Sequence, residues 1–434
     1  MRSLERNRCV NAGLSLLVLL SLIACSAASQ SGAAINNNSS SSNTRDDMNN
    51  SQKTPPAVDV DRRLVSANTG FGFKLFAQLA QGKAGENVFI SGASVGLALA
   101  MTYNGAEGET RKAMARALGL EGMNLDEINR AYAQLRASLE KIDPKVRLAI
   151  ANSLWARRGL EFKPEFIRRN KEFYGAETTE LNFNDPNAPS TINAWVNEKT
   201  GGKIDKIIEQ IEPDAILFLI NAIYFKGAWA EEFDKAKTRE EDFTLAAGNS
   251  KKHPMMRQSG RYLYLESEDF QAVSLPYGGG RVSMYIFLPA KISSLDKFHK
   301  GLNGENWDKW MSQFGKTKGD IVLPRFKLEY EETINDALKA LGMGVAFDPQ
   351  GANLSGMIGT AENVFINEVK HKTFVEVNEE GTEAAAATSV GISVTSMPAP
   401  EKTFRMVVDR PFFCAIRDNQ TGTVLFMGGI NDPE

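Results

Sequence analysis

The chain has three histidines, His253, His299 and His371, and three cysteines, Cys9, Cys25 and Cys414, so each can be asked what chemistry it could perform. No His-Glu-Xaa-Xaa-His and no Cys-Xaa-Xaa-Cys occurs, and no two histidines are close in sequence. The spacings that build a zinc site or a redox pair are therefore missing, and no metal or cofactor is expected. Fifty-three carboxylates offer only chance pairings. Gly278-Gly279-Gly280 lies between two strand candidates without a following helix, so it reads as a hairpin turn and not as a phosphate loop. His371 opens an apolar, alternating stretch, where a lone imidazole is expected as a buried hydrogen-bond node and not as a proton-transfer group.

The informative chemistry lies instead in Glu379-Glu380-Gly381-Thr382-Glu383-Ala384-Ala385-Ala386-Ala387-Thr388. Gly381 can take backbone angles other residues avoid, and the alanines behind it carry no bulk that would obstruct entry between existing strands. An Ala run also suits a helix. The residues after it favour a strand: Val390, Ile392 and Val394 alternate with Ser389, Gly391, Ser393 and Thr395, giving one apolar face at a period of two. Met397-Pro398-Ala399-Pro400 then ends any helix or central strand. The segment reads as a strand-competent stretch held in an exposed loop.

Composition and the chain's start set the context. At 434 residues and a formal charge of −3, with no block of Lys or Arg, the chain can bury a large core and has no electrostatic footprint for nucleic acid. Arg2, Arg6 and Arg8 followed by the apolar run Leu14 to Ala24 describe an export signal over residues 1–24. Leu22-Ile23-Ala24-Cys25 is similar to a bacterial lipobox, which would make Cys25 the lipidated first mature residue and anchor the protein to a membrane. Ordinary cleavage after Ala28 would instead secrete it. In a Gram-negative host, Ser26 would favour the outer membrane. Residues 25–60, rich in Ser and Asn, read as a flexible tether. The mature body keeps only Cys25 and Cys414; Cys414 sits in an apolar run and is expected to be a buried thiol, so disulfides are not expected to stabilise this exported body.

The elements that must position the loop begin near Asp61. Leu64, Asn68, Phe71, Leu75 and Leu79 mark one helix face, and Leu125, Ile128, Tyr132, Leu135, Leu139 and Ile142 another, stopped by Pro144. A third helix runs from about Ser190 to Gly201-Gly202. Strands come next: the nearly unbroken apolar run Ile216 to Phe225, as for a strand covered on both faces, then Arg281 to Leu288, His371 to Val377 and Val424 to Ile430. One helix is expected near Thr333 to Leu341. Mixed order without repeats makes residues 61–434 one α+β domain.

Several stretches resemble one family. Asn87-Val88-Phe89-Ile90-Ser91, continuing through Ser94-Val95 to Met101, Asn221-Ala222-Ile223-Tyr224-Phe225-Lys226-Gly227-Ala228-Trp229, Asn353-Leu354-Ser355-Gly356-Met357 and Met406-Val407-Val408-Asp409-Arg410-Pro411-Phe412-Phe413 are similar, in order, to serpin motifs across 61–434. Gly92 departs from the proline common there, which puts the local turn in question.

The resemblance implies a large, mostly antiparallel central sheet with further sheets and a reactive loop near 379–405. It implies a monomeric suicide inhibitor that forms a covalent acyl-enzyme with a serine protease, or alternatively a cysteine protease, and then inserts the cut loop as a new strand, carrying the protease roughly 45 Å over about 14 residues. Glu379 to Thr388 would be the hinge; Ser94, Asn221 and His371 would match the shutter, and Trp229 the breach. Counting by the family pattern puts the scissile bond at Thr395-Ser396, with Val394 or Met397 as alternatives for the residue before the cut, and suits elastase- or subtilisin-like targets. A non-inhibitory surface-binding or adhesin lipoprotein on the same scaffold is the competing reading.

Overall fold

The structure, a computed structural model, describes residues 59–212, 214–359, 363–382 and 402–434. These belong to one compact unit spanning Pro55–Glu434. In chain order the helices are α1 (Arg62–Ala80), α2 (Gly92–Tyr103), α3 (Gly108–Leu118), α4 (Leu125–Glu140), α5 (Pro164–Arg169), α6 (Ala188–Thr200), α7 (Leu295–Gly301), α8 (Gly304–Gln313) and α9 (Asn335–Leu338). The strands are β1 (Val88–Ile90), β2 (Val146–Arg157), β3 (Glu177–Leu181), β4 (Leu217–Ala228), β5 (Arg239–Thr244), β6 (Ser250–Glu266), β7 (Phe270–Tyr277) and β8 (Val282–Pro289). They continue with β9 (Gly315–Pro324), β10 (Phe326–Thr333), β11 (Glu368–Val377), β12 (Gly381–Thr382), β13 (Thr403–Val407), β14 (Phe412–Asp418) and β15 (Val424–Ile430).

Local chemistry explains the helix ends. Asp61 caps α1 by accepting from the Arg63 amide at 2.9 Å, and Asn124 with Glu127 forms a reciprocal capping box at the start of α4. Gly278-Gly280 is a turn, as expected, joining the antiparallel pair β7 and β8. The helix expected at Thr333 starts two residues later. Phe326, Leu328 and Tyr330 are buried alternately, and the strand period carries β10 through Thr333, paired with Lys370, before Asn335 opens the helix.

Two sheets result. One runs β1-β15-β14-β8-β7-β6-β9-β13 with β5 beside β6; the other runs β10-β11-β4-β2-β3 with β12 against β4. β4 is buried along nearly its whole length. Leu217, Leu219, Ile223 and Phe225 face the main core with α2 beneath, whereas Phe218, Ile220, Ala222 and Tyr224 face a smaller cluster built with Ile192 and Val196 of α6. A strand covered on both faces must be apolar at every position, which is why its sequence does not alternate.

At Gly92 a β-carbon would lie 2.4 Å from the Gly72 Cα and 3.3 Å from its nitrogen. The departure from proline thus accompanies a backbone-to-backbone contact of α1 and α2; the chain enters α2 through Ser91, whose hydroxyl accepts from the Ser94 amide. Gly92→Ala should force the helices apart and lower stability by about 1–3 kcal/mol. A thermal scan showing an unchanged Tm would mean that the contact yields freely.

Candidate functional site

Within the six-stranded sheet, a parallel seam lies between two antiparallel ones. β4 pairs with β2 antiparallel and β11 with β10 antiparallel, but β11 and β4 run parallel, from Glu368 opposite Phe218 to Phe374 opposite Tyr224. Beyond Phe374 and Tyr224 the two strands no longer pair with each other, although β10 still holds β11 to Val377 and β2 still holds β4 to Gly227. The sheet is split at that end. Parallel strands on either side of a gap can both accept one antiparallel strand between them.

The chain leaving β11 enters this split. Asn378 and Gly381 exchange both backbone hydrogen bonds, at 2.8 and 3.2 Å, which closes a two-residue turn over Glu379-Glu380. The Asn378 side chain accepts from the amides of Glu380 and Gly381. The returning residues pair antiparallel with β4, Gly381 opposite Ala228 and Thr382 opposite Gly227. Gly381 sits at φ +134°, and a β-carbon there would meet the Gly227 carbonyl at 2.2 Å and the Ala228 Cα at 2.7 Å. Only glycine fits this approach.

Trp229 fixes the turn. Its indole N–H donates to the Asn378 carbonyl at 2.9 Å and its backbone N–H to the Glu380 carbonyl at 3.0 Å, while the Phe233 amide holds the Glu379 carbonyl at 2.8 Å. The Trp229 ring stacks on Tyr277 with centroids 4.3 Å apart. The buried Glu379 carboxylate accepts from the Thr238 hydroxyl at 2.6 Å and meets Arg325 at 3.4 Å; Glu380 pairs with Lys235.

Deeper along the same seam lies a buried polar cluster. His371 accepts from the Ser91 amide at Nε2, 3.1 Å, so its proton is on Nδ1, donated to Asn221 Oδ1 at 2.5 Å. Asn221 Nδ2 donates to Ser94 Oγ at 2.5 Å and to Asn152 Oδ1. β11, β4, α2 and β2 thus meet through four side chains, and His371 is the hydrogen-bond node its sequence context predicts. Burial pushes the His371 pKa down to about 3. The unfolded chain, titrating near 6.5, then binds the extra proton. The His371 contribution to stability is fully present above pH 6.5 and is lost as pH falls toward 3, at about 1.4 kcal/mol per pH unit. Half-buried His299, held down to about 4 by desolvation, adds to the same trend. His371→Gln should flatten the fall in urea midpoint between pH 7 and 5 relative to wild type; equal slopes would place the titration elsewhere.

The structure therefore brings Ser94, Asn221, His371, Trp229, Glu379, Gly381 and Thr382 to one seam. Glu383, Ala384, Ala385, Ala386, Ala387, Thr388, Thr395, Ser396 and Cys25 lie outside the described residues. Asn152, Tyr277, Thr238 and Arg325 join the site without any local sequence signal, because register and tertiary approach alone place them there. Gly92-Ala93-Ser94-Val95-Gly96 also has the Gly-Xaa-Ser-Xaa-Gly spacing of a nucleophile elbow. Ser94, however, is inside α2, 1% exposed, with its hydroxyl against Asn221. Among the described residues no cluster of His, Cys, Asp or Glu could hold a metal ion. Cys414 is fully buried, and burial raises its thiol pKa well above the usual range.

Comparison with known proteins agrees with this architecture. The family model described as Serpin (serine protease inhibitor) matches residues 66–433. The leukocyte elastase inhibitor of Bos taurus is 38% identical over 86% of this chain and 100% of its own length; the Homo sapiens protein is 37% identical over the same shares. A serpin-like protein of Thermococcus kodakarensis is 36% identical over 86% of this chain and 87% of its own. Among solved structures, the thermophilic serpin tengpin in its native state superposes with a TM-score of 0.79 at 34% identity, covering 86% of this chain and 95% of that one. Native protease nexin-1 with heparin gives 0.77 at 30%, covering 86% and 100%. The family is one of inhibitors and not of enzymes. By its seam, its motifs and these relatives, this chain belongs to the serpin family.

Proposed function

We propose that the chain is a suicide-substrate inhibitor of serine endopeptidases, with elastase- or subtilisin-like enzymes as its targets. The observation that carries this reading is the split between β4 and β11 with Gly381 and Thr382 already paired in its mouth. A protease nucleophile attacks the exposed loop, at Thr395-Ser396 by the family count, and forms an acyl-enzyme. The freed segment then continues the entry begun at Gly381, antiparallel to both flanking strands. Loss of oxyanion geometry in the displaced enzyme stalls deacylation. In this reading Glu379 to Thr388 form the hinge, Ser94, Asn221 and His371 the shutter, and Trp229 the breach.

Opening the seam separates β11 from β4, so the bond between His371 and Asn221 must break as insertion passes it. The Trp229 contacts to the turn carbonyls hold the first residues at the entrance and set where insertion begins. Residues 1–24 direct export, Cys25 anchors the mature chain by lipid at the membrane or cell surface, and residues 25–60 tether an inhibitory monomer above it.

Mixing the purified protein with pancreatic elastase should give an SDS-stable covalent adduct and release a C-terminal peptide beginning at Ser396. Clean cleavage without adduct by both elastase and subtilisin would sink the inhibitory reading. Mass spectrometry of the mature N-terminus tests the anchor, a diacylglyceryl Cys25 being the expected species.

A further inference from the structure

The seam between β4 and β11 is open at its mouth, and at its far end a side chain holds it shut. There Asn367, the residue before β11, accepts through one carboxamide oxygen from two successive amides at the entry to β4, Ile216 at 2.6 Å and Leu217 at 3.0 Å. Its own backbone amide donates to the Leu217 carbonyl at 3.1 Å. The ladder between the two strands starts only at the next pair, Glu368 opposite Phe218.

The other edge of the same stretch is gripped from α9. Asn335, the first residue of that helix, donates through Nδ2 to the Asn367 carbonyl at 2.6 Å and accepts at Oδ1 from the Val369 amide at 2.8 Å. Its carboxamide stands in for a neighbouring strand where the β10 ladder ends, at Thr333 opposite Lys370. The two asparagines thus act on opposite edges of β11: Asn335 ties it to α9, and Asn367 ties it to β4. Only the second tie crosses the seam.

We propose that Asn367 is a latch on the last stage of loop insertion, a positioning residue that acts through the Ile216 and Leu217 amides. The latch rests on the inhibitory reading above. The register that sets Gly381 opposite Ala228 and Asn378 would put Val390 between Leu219 and Val369, and Ile392 between Leu217 and Asn367. Thr395 lies three residues further along. A strand can fill the seam through Val390 with the latch closed, whereas the acyl bond at Thr395 passes the end of the sheet only after Asn367 releases β4. An acyl-enzyme waiting at the latch is still open to water, so the latch bears on the partition between trapping and release. Opening it breaks two hydrogen bonds of one side chain together, worth about tenfold in rate.

Two synthetic peptides separate the latch from the rest of the seam: Glu383–Thr395, which must displace Asn367, and Glu383–Val390, which stops short of it. Each carries an N-terminal dye and is offered to the uncut, full-length mature protein, with uptake followed by fluorescence anisotropy. Asn367→Ala should take up the long peptide about tenfold faster than wild type and the short one within twofold, with amide exchange at Ile216 and Leu217 about tenfold faster. Asn367→Asp keeps an acceptor oxygen and should return the long-peptide rate to the wild-type value or below. Asn335→Ala controls for lost stability, because it frees β11 on the edge away from the seam; both of its rates should stay within twofold of wild type. Unchanged long-peptide uptake in Asn367→Ala, equal acceleration of both peptides, or the same acceleration in Asn335→Ala would overturn the latch, while uptake by the wild type would leave the insertion reading standing. Uptake of neither peptide by wild type or variants would remove that reading and the latch with it.

Discussion

Thr382→Arg should turn an inhibitor into a substrate: elastase cuts the loop at a normal rate, the covalent adduct vanishes and the stoichiometry of inhibition rises at least tenfold. Thr382 lies opposite Gly227, at the position where the chain enters the split. Carrying that register onward puts even-numbered residues of the inserting strand on the face of Leu217, Leu219, Ile223 and Phe225, which is the main core. An arginine entering there would be a buried charge without a partner, a cost of several kcal/mol. In the proposed mechanism, inhibition is decided by a race between insertion and deacylation, and each 1.4 kcal/mol added to the insertion barrier shifts that race about tenfold. Loop cleavage itself is unaffected because the substitution lies about thirteen residues before the cut, by the family count. Thr382→Val, of similar size and uncharged, should keep the adduct. Full inhibition by Thr382→Arg would mean that this face never enters the core.

The elements around the seam are legible in the sequence to different degrees, for physical reasons. The continuous apolar run at Ile216 to Phe225 announces a strand buried on both faces because no other environment tolerates it, and β4 is that strand. His371 reads as a node because an apolar alternating strand leaves a lone imidazole no solvent. Which groups meet it is not readable locally: Ser91 is 280 residues away and Asn221 150, and only the parallel register of β11 and β4 brings them together. The helix opens at Asn335 and not at Thr333 because Thr333 suits either period and its pairing with Lys370 decides. Gly92 shows a departure whose counterpart, the approach of Gly72, lies on another helix. Gly381 is the reverse case: its conformational freedom is readable, and the structure supplies the carbonyl of Gly227 that makes it necessary.

Cutting the loop without trapping a protease, for example with a protease that cleaves between Thr388 and Lys402 and then dissociates, should raise the Tm by tens of degrees. The register makes the case. β12 pairs with β4 as Gly381 opposite Ala228, and the turn pairs Gly381 with Asn378 at the end of β11. Stepping inward two residues at a time, Ala384 would come between Phe225 and Val375, Ala386 between Ile223 and Thr373, and Thr388 between Asn221 and His371. Thr373 with Ile223 and His371 with Asn221 are already parallel partners. One inserted strand would therefore replace each existing pair by two antiparallel pairings without any slip, and small residues would meet Phe225 and Ile223. In the proposed insertion, the hydroxyl of Thr388 would arrive between the two groups whose mutual hydrogen bond is broken, so that neither His371 Nδ1 nor Asn221 Oδ1 would be left unsatisfied. On this reading the fixed ends, one in β11 and the other in β13, keep an uncut loop from that state. Thr388→Val should reduce the gain in Tm by removing that partner, while leaving the Tm of the uncut protein unchanged. A cut protein melting no higher than the intact one would show that the seam does not take up the loop.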